Sequence, residues 1–205
     1  MKTTIRRRLR SQLVESWKTV LEKQYAFQWI NSERSLQAYF ATSLDTVLRS
    51  TQKAATELQR RLFIEPTIMI GKGKKVYECK PDVVVCNKNK IIAVIELKYQ
   101  PKSKPTYQDD IKKLELLKKD VEQNTLLNIS NSRYRGPARD STTYSLAEDA
   151  LFVWAGIYNP EKHSDNTLKN TSLISGNSKL QGCFLTLHAE TYAEQDPLIF
   201  HRSSW

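Results

Sequence analysis

Cysteine is scarce: Cys79, Cys86 and Cys183 are the only three, and no two of them form a CxxC pair. That argues against a disulfide framework or a zinc site, and it fits a reducing, cytoplasmic compartment. Histidine is as scarce, and His163, His188 and His201 show no pairing at metal-ligand spacing. A histidine-based mechanism therefore has little support. No apolar run approaches the roughly 18 residues that would mark a membrane span. The start is basic, with Arg6, Arg7, Arg8 and Arg10 and no acid before Leu13, but no apolar stretch follows, so we expect no secretory signal. Glu15 and Glu22 soon after favour a plain basic helix over a mitochondrial presequence. Gly71-Lys72-Gly73-Lys74 lacks the spacing of a phosphate loop, and a strand follows it where a helix is required. No internal repeat and no domain boundary is visible.

What is present is an ordinary globular balance, 40% hydrophobic and 26% charged, over 205 residues. That length is enough for one domain with a real core, so we expect a single domain over 1–205. The net charge of +10 suits a polyanionic partner such as nucleic acid. A basic surface that merely keeps the chain soluble is the plainer alternative.

The most informative stretch is Lys80–Tyr99. Its two apolar runs, Val83–Cys86 and Ile91–Ile95, are β-branched and too short for a buried helix. They read as two strands joined by the polar turn Asn87-Lys88-Asn89-Lys90. Asp82 precedes the first run, and Glu96 and Lys98 follow the second. A register pairing Asn87 with Ile91 sets Asp82 opposite Glu96; one pairing Asn87 with Lys90 misses by one residue. Opposed residues share a face, with Cβ atoms about 4.5–5.5 Å apart. Glu96 and Lys98, two apart, share a face as well.

Around this hairpin the periodicity predicts an amphipathic helix over 4–23, with Leu9, Leu13, Trp17 and Leu21 at four-residue spacing. A second helix starts at Glu33, after the Asn31-Ser32 cap, and runs to Leu62 with a break near Ser50. Phe63–Ile70 and Lys75–Cys86 read as strands, the latter kinked or entered at Pro81, and Ile91–Tyr99 as a central strand. A helix follows from Thr106 to Asn124, and a further strand at Ala150–Tyr158. Residues 128–145 and 159–182 read as long polar loops, and strands return over 183–200. Trp17, Trp29 and Trp154 read as core residues.

Two buried carboxylates cannot both stay ionised without a shared proton, a pairing cation or a metal. Two carboxylates, a backbone carbonyl and waters also make a ligand set that magnesium prefers. A metal held so can activate water beside a phosphate, and a lysine can orient or deprotonate that water. The plainer readings are a strand-end salt bridge for Glu96 and Lys98, a turn cap for Asp82 and a dipole-favoured acid for Glu33.

Pro81-Asp82, thirteen residues, then Glu96-Leu97-Lys98 resembles the signature of the PD-(D/E)XK nuclease superfamily. The element order over about 31–158 resembles its core as well. The resemblance implies an α/β, restriction-endonuclease-like αβββαβ fold, with a central mixed sheet flanked by helices and an extra N-terminal helix. It implies a Mg²⁺-dependent endonuclease, with Mn²⁺ as an alternative, that hydrolyses the phosphodiester bonds of DNA. Asp82 and Glu96 correspond to the metal-binding acids and Lys98 to the lysine that assists the water. The Leu97 backbone carbonyl would join the metal, Glu33 would be an acid from the first core helix, and Gln108 or Asp109 a supporting residue from the next. The basic loop carrying Arg133, Arg135 and Arg139 would track phosphates. A homodimer is compatible with this reading, and a membrane partner is not expected. The competing expectations are a protein of the same fold that binds nucleic acid, or assembles on it, without cutting, and an RNA-directed nuclease.

Overall fold

The computed structural model describes residues 2–50, 60–72, 75–103, 105–121, 127–130, 143–159, 173–174, 178–191 and 199–204. Helix α1 (Lys2–Val20) runs into a π-helical turn, Leu21–Tyr25, and is followed by α2 (Glu33–Ser50). Residues 51–62, expected to continue α2, divide between a stretch outside the described residues and a strand. The strands are β1 (Arg60–Ile64), β2 (Thr67–Lys72), β3 (Lys75–Cys79), β4 (Val83–Asn87) and β5 (Lys90–Gln100). Helix α3 (Gln108–Val121) follows, then β6 (Leu127–Ser130), β7 (Thr143–Tyr158), β8 (Phe184–Glu190) and β9 (Ile199–Ser204).

The result is an α/β architecture on a mixed sheet. Its main run is β1-β4-β5-β7-β8-β9, with β5, β7 and β8 parallel and the other neighbours antiparallel. The first part of β7 also pairs with β6, which leads to β2 and β3. Two stretches read as single strands are therefore split. Phe63–Ile70 breaks at Glu65-Pro66, where Glu65 takes φ 46°, and Lys75–Cys86 breaks around Pro81. Proline offers no ladder N–H and restricts the residue before it, so each break lets the chain change partners. The chain leaves the main run after β1, forms the β2–β3 hairpin alongside, and re-enters as β4. The Glu65 N–H donates to the Asp82 carbonyl at 2.9 Å, closing this excursion at its neck. Part of 128–145, expected as loop, is strand β6 and the start of β7.

Each face of the sheet is covered by a core. On one face Leu9, Leu13 and Trp17 of α1 and Leu36, Phe40 and Leu44 of α2 cover Val83, Val85, Ile95, Leu97, Val153 and Leu185. On the other, Ile111, Leu114 and Leu117 of α3 join Ile68 and Ile70 over Val84, Val94, Phe152 and Trp154. Burying each such side chain contributes about 1.5–3 kcal/mol, which fixes which face every strand residue presents. Trp17 and Trp154 are fully buried as expected, but Trp29 is 57% exposed. It lies beyond the π-helical turn, where helical spacing no longer directs it inward. No described helix is long and apolar enough to cross a membrane.

Candidate active site at the end of the central hairpin

The hairpin reaches its register by an unforeseen route. Its turn pairs Asn87 with Lys90, with Lys88 in the left-handed region at φ 54°. Carried along the strands unchanged, that register would set Asp82 against Ile95. Instead Cys86 pairs with Ile91 and Val85 with Ala93, so Ile92 is an extra, bulged residue. Both Ile92 and Ala93 lie in the core beneath α1 and α2, whereas Ile91 and Val94 lie in the core beneath α3. The bulge thus restores the one-residue offset. Val83 pairs with Ile95, and the ladder continued one step places Asp82 opposite Glu96. Glu96 and Lys98 then alternate onto the α3 side of the sheet.

Asp82 is held at both its backbone and its side chain. Its carbonyl accepts from Gln37 Nε2 at 3.0 Å as well as from the Glu65 N–H, and its Oδ2 accepts from the Leu97 N–H at 2.6 Å. Burial nevertheless pushes its carboxyl up to about 6, the Leu97 N–H and the Lys113 ammonium only partly opposing, with Glu33 and Asp110 adding to the rise. Glu96 is 1% exposed. Burial first, then the nearby Asp82, raises its carboxyl to about 8 against the pull of Lys113. Lys113 Nζ lies 2.7 Å from Glu96 Oε2, whereas Glu96 Oε1 is buried without a hydrogen-bond partner. Burial would lower Lys113, but the Glu96 and Asp82 carboxylates outweigh it and raise it.

Lys98, its side chain 17% exposed, sits between two carboxylates: Asp110 Oδ2 at 3.4 Å and Glu33 Oε2 at 3.8 Å. Glu33, in the first turn of α2, also accepts from the Tyr99 N–H at 3.3 Å. Asp110 is anchored from behind by Trp154, whose Nε1 donates to the same Oδ2 at 3.2 Å. Trp154 can lie where it does because residue 156 is glycine. A Cβ there would come within 2.9 Å of indole Cζ2 and Cζ3. Gly156, Trp154, Asp110 and Lys98 thus form a mechanical chain that sets the position of the ammonium.

The structure brings Asp82, Glu96, Lys98 and Glu33 together. It does not bring in the supporting residues expected from α3. Gln108 is exposed, and Asp109, with a side chain 96% exposed, pairs with Lys112 at 3.3 Å. Asp110 and Lys113 take that place. A helix advances about 100° per residue, so one position separates solvent from sheet. The signal was present in the sequence: Asp110, Lys113, Leu114 and Leu117 share one helical face, and the two charged members interrupt an apolar stripe. Leu97 contributes its N–H to Asp82 and its side chain to the α2-side core. Glu65 and Glu78 are exposed and outside the site, and Glu78 pairs with Lys80 at 2.8 Å. Arg133, Arg135 and Arg139 lie outside the described residues.

Four carboxylates, Asp82, Glu96, Asp110 and Glu33, thus face two ammonium groups, Lys98 and Lys113. If all were ionised, two negative charges would be left over, the charge one divalent cation neutralises. Among the described residues no three His, Cys, Asp or Glu side chains converge tightly enough to hold an ion by themselves. Asp82 and Glu96 as a pair suit magnesium, which takes one or two carboxylates and fills its remaining positions with carbonyls, waters and phosphate oxygens. The orphaned Glu96 Oε1 is a donor atom without another task.

No family model, curated protein or solved structure matches the chain.

Proposed function

We propose that this chain is a metal-dependent nuclease of the PD-(D/E)XK type, with a restriction-endonuclease-like αβββαβ core, hydrolysing phosphodiester bonds of DNA. The core would be α2, β1, β4, β5, α3 and β7, with β2, β3 and β6 as an added side sheet. The observation that carries the reading is the opposed pair of Asp82 and Glu96, both pushed toward protonation, beside an unpartnered buried oxygen of Glu96. Such a pair is costly to keep unless something positive binds there.

Asp82 and Glu96 would hold Mg²⁺ or Mn²⁺, with the Leu97 carbonyl as a further ligand and Glu33 at the margin. The bound metal would lower the pKa of a water and neutralise charge building on the phosphate. Lys98 orients the attacking water, its ammonium steadied by Asp110 and Glu33. Lys113 balances Glu96 before the ion arrives. The +10 net charge supplies the attraction for a polyanion.

The test is incubation of supercoiled plasmid with the protein in Mg²⁺, Mn²⁺ or EDTA. Nicking that needs metal and disappears in Glu96→Gln and Lys98→Ala supports the reading. A second reading, a protein that binds nucleic acid without cutting, is favoured by the Lys113 ammonium already seated on Glu96 at 2.7 Å. Gel-shift binding without cleavage under any metal would select it.

A further inference from the structure

The segment 26–31, between the π-helical turn and α2, has two unusual flanks. On one, Phe27 and Trp29 are 66% and 57% exposed. Their rings form a row with Tyr39, with centroids 6.0 and 6.4 Å apart and planes tilted by 37° and 31°. Single exposed aromatics are ordinary, but a row of them is a contact surface in want of a partner. The other flank, with Gln28 in the left-handed region at φ 62°, walls a recess of about 880 Å³. Its far wall is Tyr99 to Ser103, the strand end directly after Lys98. Tyr99 ties recess to site: its N–H donates to Glu33, and its hydroxyl donates to the Ile30 carbonyl at 3.0 Å.

The lining has the chemistry of a nucleotide site. Among the described residues it has no carboxylate, one ammonium (Lys102), the phenol rings of Tyr25 and Tyr99, and the amides of Gln28 and Asn31. Amides read base edges, aromatic faces stack on bases, and a lone cation meets a phosphate. A rigid duplex keeps its bases stacked inside and cannot use such a recess.

From this we infer that the recess, together with the aromatic row on the other flank of the same segment, binds an unpaired nucleotide segment next to the scissile phosphate, so that the substrate is nucleic acid with a single-stranded portion, such as a fork, flap or overhang. The inference rests on the nuclease reading for its geometry but is tested by binding alone. Fluorescence anisotropy in EDTA compares a labelled single-stranded oligonucleotide, a blunt duplex of the same sequence and a forked duplex. We expect single strand and fork to bind more tightly than blunt duplex. Trp29→Ala should weaken single-strand binding about tenfold, and Trp29→Phe, which keeps an aromatic face, should restore most of it. Lys102→Gln should weaken binding and reduce its salt dependence by about one phosphate contact. Lys98→Ala, which should abolish plasmid nicking, should leave this preference in place. Equal affinity for single strand and blunt duplex, or unchanged single-strand affinity in both Trp29→Ala and Lys102→Gln, would overturn the inference and leave the aromatic row as a protein-contact surface. Absence of metal-dependent cleavage of both the plasmid and the forked duplex by a protein that still prefers single strands would overturn the nuclease reading alone.

Discussion

Replacing Glu96 by glutamine separates a costly metal-accepting carboxylate from an ordinary strand-end salt bridge. In the folded chain the Glu96 carboxyl is raised from 4.5 to about 8. Between those two pH values the folded state keeps a proton that the unfolded state has released, so metal-free stability must fall as pH rises through the window. At about 1.4 kcal/mol per pH unit, the whole fall amounts to at most about 5 kcal/mol. Asp82, raised from 3.8 to about 6, adds a smaller fall at lower pH. For a chain of this size each kcal/mol moves the Tm by about 2–4 °C. Thermal unfolding in EDTA should therefore show the Tm dropping by about 10 °C between pH 5 and pH 8.5. Glu96→Gln should flatten most of that slope, and at pH 8 it should be more stable than the parent. Adding Mg²⁺ or Mn²⁺ at about a hundredfold above its dissociation constant should return about 2.7 kcal/mol to the parent at pH 8, and little to the variant. A parent Tm that holds steady or rises over this range in EDTA would refute the reasoning. So would a Glu96→Gln variant with the parent's slope.

Other outcomes follow from the same geometry. Lys113→Met removes the ammonium from Glu96, and should cost about 2 kcal/mol at pH 9.5, where the Glu96 carboxyl is largely ionised, but little at pH 5, where it is protonated; denaturant melts at the two pH values measure this. Gly156→Ala drives a methyl into the Trp154 indole, and chemical denaturation should show a loss of about 1–3 kcal/mol. That loss should shrink in a Trp154→Phe background, because the two positions share one space. Asp110→Asn and Trp154→Phe both loosen the hold on Lys98. Its acylation rate, followed by peptide mass spectrometry, should rise in each, and plasmid nicking should fall while DNA binding persists.

Much of the core could be read in advance because it follows from short-range pattern. Val83–Cys86 and Ile91–Ile95 are β-branched runs whose burial on both faces forces strands, and Glu96 and Lys98 stand out by interrupting one. The stripe of Leu36, Phe40 and Leu44 likewise fixes the inward side of α2. Strand breaks were harder. Pro81 is visible as an irregularity, whereas Pro66 lies inside a stretch read as one strand, and whether proline kinks a strand or releases it to another neighbour depends on which edge is free to receive it.

The amino-acid order by itself determined that a carboxylate pair and a lysine lie at the ends of a buried hairpin, because alternation and hydrophobic burial act over a few residues. Only the tertiary structure decided how they meet. The bulge at Ile92 corrects a turn register that would have misaligned Asp82 and Glu96, and it forms because both faces of the sheet must bury their own apolar residues. The choice of Asp110 and Lys113 over Gln108 and Asp109 depends on how α3 is rotated on the sheet. Its apolar stripe sets that rotation by packing against residues distant in the chain. The exposed row beginning at Phe27 has the same origin, since the segment leaves the helix at a π-helical turn and no described element covers it.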